Sequence, residues 1–143
     1  MPIARLSREK LQRLADSRIE EATVLLERSH WTGAYYLTGL GVECALKACL
    51  AKAVRQGDFP DKSFINQAYT HKLEDLAKLD GELWVSMKNE IDLNVKLASN
   101  WSTVKQWQDD KRYEEVERVD AESLFVATTE PVTGVMEWIR RRW

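Results

Sequence analysis

The 143-residue chain reads as an all-α protein. Apolar residues recur at helical spacing over most of its length. Only three prolines and six glycines occur, little material for the many tight turns of an all-β fold. The strand signal is weak throughout. At this length one domain, 1–143, is expected, with a sizeable core. No repeat, low-complexity tract or second domain interrupts it.

The first helix is capped by Ser7 and runs to about Arg28, with Leu11, Leu14, Ile19, Ala22, Leu25 and Leu26 at helical spacing. The second runs from about Thr32 to Arg55 and is apolar nearly all round, the pattern of a central helix touched on several sides. Gly33, Gly39 and Gly41 each cost roughly 1 kcal/mol there against alanine, so another helix is expected to approach closely. A turn at Gly57, Pro60 and Asp61 leads to a short helix near Asp61–Gln67, with Phe59, Phe64 and Ile65 expected to be buried. The third helix starts near His71 and stops at Asp80-Gly81, with the glycine in the usual C-terminal position. A fourth takes Leu83, Met87, Ile91, Val95 and Leu97 toward Trp101, with a break near Ser99-Asn100. Gln108 to Val119 reads as a charged loop, and Asp120 as the cap of a last helix carrying Leu124, Phe125, Val132, Met136 and Ile139. Pro131 makes that helix kink or restart.

Twenty-one basic and 23 acidic residues give a net charge of −2, so no global field draws nucleic acid and any RNA contact needs a local patch. Met1 to Lys10 is charged from its start, unlike a signal peptide. The most apolar run, Gly33 to Leu50, contains Glu43 and Lys47, each costing roughly 3 kcal/mol in a bilayer. No membrane span is expected, and a cytoplasmic protein is. Cys44 and Cys49 are about 7.5 Å apart along a helix axis, beyond disulfide reach, and point away from each other.

Two histidines and two ill-spaced cysteines make no metal-ligand set, so neither metal nor cofactor is expected. Gly39-Leu40-Gly41 lacks both the third glycine and the preceding strand of a dinucleotide loop. The second helix says more. Glu43 and Lys47 are i, i+4 in the favourable order, and Tyr36 lies on the same side. A helix that is otherwise core thus carries a narrow polar stripe. This is either an internal ion pair or a polar patch at a dimer seam or ligand groove.

The segment Trp31-Thr32-Gly33-Ala34-Tyr35-Tyr36-Leu37-Thr38-Gly39-Leu40-Gly41-Val42-Glu43-Cys44-Ala45-Leu46-Lys47-Ala48 resembles the second-helix signature of prokaryotic HEPN (higher eukaryote and prokaryote nucleotide-binding) domains. That signature has an aromatic-rich start, a glycine pair, then Glu-Cys-x-Leu-Lys-Ala. His71-Lys72-Leu73-x-x-Leu76 resembles the start of the family's next helix, and Arg112-Tyr113 its late arginine–tyrosine pair. The resemblance spans roughly Leu11 to Tyr113. It implies an up-and-down bundle of four to five helices, usually a homodimer. Many members are ribonucleases, or descend from them, and act in toxin–antitoxin or related defence systems. Others partner a small nucleotidyltransferase. Active members place a histidine four to six residues after an arginine and cut RNA without metal.

This chain departs from that spacing. His30 is two residues after Arg28, His71 sixteen after Arg55, and no histidine follows Arg112. The acidic run after Tyr113 also repels a phosphate backbone. The expectation is a HEPN-like module without the usual ribonuclease activity, binding RNA, a nucleotide or a nucleotidyltransferase. Tyr36, Glu43, Lys47, His71, Arg112 and Tyr113 form its candidate site. A divergent metal-independent ribonuclease using His71, Arg112 and Glu43, and a purely structural dimerisation domain, are the alternatives.

Overall fold

Ser7 accepts the backbone N–H of Lys10 and starts α1, Arg8–Glu27, which a three-residue connection joins to α2, Trp31–Ala53. In that connection Ser29 takes a left-handed φ of 62° to reverse the chain. The computed structural model describes residues 6–54 and 57–143, with the side chain of Arg112 outside them. Then follow α3, Lys62–Ala68, capped by Asp61; α4, Leu73–Leu79; α5, Gly81–Leu93; and α6, Val95–Val104. A 3-10 helix, Asp109–Tyr113, precedes α7, Arg118–Thr129, and α8, Val135–Arg140. No strand occurs among the described residues.

α2 is the axis of the bundle. α1 lies along it, and α4, the 3-10 helix, α7 and α8 close around the remainder. The glycines of α2 allow this approach. A Cβ on Gly41 would lie 3.0 Å from Ile19 of α1, and one on Gly33 would lie 3.1 Å from Leu25. At Gly39 the neighbour is instead the indole of Trp107, 2.1 Å from where a Cβ would stand. The core gathers Leu46, Leu73, Leu76, Met87, Trp107, Leu124, Trp138 and Ile139, all fully buried. Thr38 and Thr128, also buried, donate their hydroxyls to carbonyls one turn earlier, at Ala34 and Leu124. Glu90 of α5 accepts from the Trp138 indole N–H at 2.6 Å and from Arg142 at 2.6 Å, tying α5 to α8.

Several expected boundaries move, each for a local reason. The expected third helix, α4, does stop before Asp80-Gly81, at Leu79, but Gly81 is not its C-terminal glycine. It opens α5, because Asp80 accepts the N–H groups of Glu82 and Leu83 and so caps a new start. The fourth helix breaks at Asn94 rather than Ser99-Asn100, since the Asn94 side chain caps Leu97 N–H. Asn100 stays helical and reaches across to the Thr133 carbonyl. Asp120 lies inside α7, whose cap position is Glu117. Pro131 does force a restart, in the turn between α7 and α8. Three expected core residues face water: Phe59 is 98% exposed, Val95 85% and Val132 71%. Phe59 precedes α3 and Val132 lies in the Pro131 turn, so neither sits on a packed helix face. Val95 begins α6 beyond the Asn94 break, off the line that α5 had set. Arg55, the expected end of the second helix, is outside the described residues.

Candidate functional site

The polar stripe of α2 becomes a built cluster. Glu43 is only 4% exposed, and both its oxygens are used. Oε2 accepts from Lys47 Nζ at 3.3 Å, one turn on. Oε1 lies 2.7 Å from His71 Nδ1, in the segment before α4. A carboxylate only accepts, so Nδ1 carries the proton facing Glu43, and Nε2 points away from it. That Nε2 lies 4.0 Å from Asp109 Oδ2, at the start of the 3-10 helix. His71 therefore bridges α2 to the 3-10 helix from the Lys72 end of α4, with its side chain 53% exposed.

Of the six expected site residues, three converge: Glu43, Lys47 and His71. Tyr36, seven residues before Glu43 on α2, has its ring 6.1 Å from that of Trp107 and tilted by 33°. Tyr113 ends the 3-10 helix and is largely exposed. The Arg112 side chain lies outside the described residues. None of the described hydrogen bonds or ion pairs of Glu43 and His71 involves an arginine.

Asp109 and Trp107 were not singled out as site residues. Asp109 had no sequence signal, being one acid among several in a charged stretch. Trp107 had one, at Gly39: a helix glycine that costs stability needs something to lie against it. The indole N–H of Trp107 is buried there without a hydrogen-bond acceptor among the described residues.

The electrostatics set what the cluster can do. Lys47 pairs with Glu43 while His71 stands between Glu43 and Asp109, so a phosphate arriving at Nε2 meets Asp109 first and Glu43 behind it. Nearby thiols offer no nucleophile at neutral pH. Burial, then the adjacent Glu43 charge, pushes the Cys44 thiol up, and burial pushes Cys49 up to about 11. Both cysteines are free. No group of three His, Cys, Asp or Glu among the described residues is arranged to hold a metal ion, and none of their helices is long and apolar enough to cross a membrane.

No protein-family model, curated protein or solved structure matches the chain.

Proposed function

We propose that this chain is a HEPN-like module that binds rather than cleaves, a homodimer whose target is RNA, a nucleotide or a nucleotidyltransferase partner. The reading places it beside the toxin–antitoxin and defence systems that the second-helix resemblance implies. The observation that carries it is the use of His71. Its Nδ1 is committed to buried Glu43 at 2.7 Å, and its Nε2 faces Asp109. Metal-independent cleavage by the family's pair needs a histidine and an arginine converging on a phosphate, and a histidine between two carboxylates is poorly placed to meet one. The absent arginine-to-histidine spacing agrees.

The test is incubation of purified protein with single-stranded RNA in chelator, beside His71→Ala. The expected result is intact RNA with both. Degradation that disappears in His71→Ala would overturn the reading in favour of the divergent ribonuclease. Light scattering checks the dimer. Neither binding of RNA or nucleotide nor capture of a nucleotidyltransferase would leave only a dimerisation role.

A further inference from the structure

The acidic balance of the chain conceals one strongly basic hollow. Where α4, α5 and α6 meet, a half-open cavity of about 280 Å3 is lined by Glu74, Lys78, Trp84, Lys88, Trp101 and Lys105, among others. Two ammonium groups converge there on one carboxylate, and Lys88 lines the same hollow. Glu74 accepts from Lys78 at 2.8 Å through Oε1 and pairs with Lys105 at 3.5 Å through Oε2, so both its oxygens are already engaged. The Lys78 hydrogen bond, against some opposition from burial, holds Glu74 below the usual carboxylate range. Lys88 has no carboxylate partner among the described residues. Its ammonium lies 5.9 Å from the Trp84 ring centroid, and that of Lys78 lies 5.2 Å from it.

A flat indole beside two lysine ammonium groups, with three lysines against one carboxylate, matches a ligand that joins an aromatic face to an anion. Lysine stems lying over tryptophan also occur as plain surface cover. Cover alone does not bring a third lysine, from the end of α6, to the carboxylate that already holds Lys78. The cavity is small for a ligand site, which suits a single nucleotide rather than a run of them.

We propose that this hollow binds a phosphorylated nucleoside, its base on Trp84 and its phosphate among Lys78, Lys88 and Lys105. The base takes the place of the ammonium groups on the indole, and these swing on their stems to the phosphate. The same chemistry is offered by a free nucleotide and by one nucleotide of single-stranded RNA. The site is separate from the Glu43–His71 cluster and rests on the reading of the chain as a binder.

The test measures binding of a labelled single-stranded RNA by anisotropy, and of AMP and inorganic phosphate by calorimetry, across a salt series. RNA affinity is expected to fall with salt, and Lys88→Ala and Lys105→Ala each to flatten the log–log slope by about 0.7. Trp84→Leu is expected to weaken binding about tenfold without changing that slope. AMP binding as tightly as RNA identifies free nucleotide as the source, and much weaker AMP binding identifies RNA. The proposal is overturned if nothing binds, if phosphate binds as well as AMP, or if the two lysine variants, both at exposed positions, leave affinity and slope unchanged. Cleavage of the RNA would sink the non-nuclease reading and leave this site standing. Intact RNA with neither RNA nor AMP bound would sink the site alone.

Discussion

α2 and the α5–α6 corner are both apolar in sequence, and they meet opposite fates. α2 is enclosed by five other elements, so almost any turn of it presents a side chain to a neighbour. At the corner, Leu93 and Val95 flank Asn94 and stand out in water, although the pattern from Leu83 to Leu97 reads as one continuous helix. The difference lies in what fixes each one. Enclosure fixes α2 from many sides at once. One side-chain hydrogen bond, Asn94 to Leu97 N–H at 3.1 Å, helps to set where the corner turns.

Adding matter to the enclosed helix should therefore do most harm. Gly39→Ala puts a methyl group 2.1 Å from the indole of Trp107, which is fully buried and has nowhere to retreat. A loss of about 3 kcal/mol or more is expected, read as a drop in Tm of about 10 °C. An unchanged Tm would mean that α2 is not gripped as described.

Within the same helix, Glu43→Ala strands Lys47 and His71, and about 2 kcal/mol should be lost, since both partners can reach water. His71→Ala leaves Glu43 its lysine and should cost about 1 kcal/mol. Urea denaturation orders the two, and a costlier His71→Ala would show that the histidine, not the ammonium, keeps the buried carboxylate.

The corner should give the smallest effects. Asn94→Ala is expected to lose about 1 kcal/mol with the cap. Leu93→Ser and Val95→Ser should each stay within about 0.5 kcal/mol. A large loss in either serine variant, in protein dilute enough to be monomeric, would contradict the exposure of the corner.

The same contrast explains how far the sequence could be read. An apolar pattern nearly all round reveals a helix enclosed on most sides, and i, i+4 spacing reveals the Glu43–Lys47 pair. A cap is legible when it stands at a clear edge, as Ser7 does, whereas Asp61 reads only as a turn residue at the start of a short helix. Asp80-Gly81 marks the end of one helix but hides that Asp80 also caps the next, and Asn94 is hidden within an apolar rhythm. His71 met Glu43 across 28 residues, and no local rule pairs two such side chains. The phosphate-seeking patch that an acidic chain would need was likewise scattered, over α4, α5 and the end of α6, until folding brought its lysines together.

The Glu90 clasp on Trp138 and Arg142 bears on the order of assembly. α1 and α2 are joined by three residues and meet at once, whereas the clasp waits for partners 48 and 52 positions apart in the chain. Glu90→Ala is therefore expected to speed unfolding more than it slows folding, as stopped-flow kinetics would show.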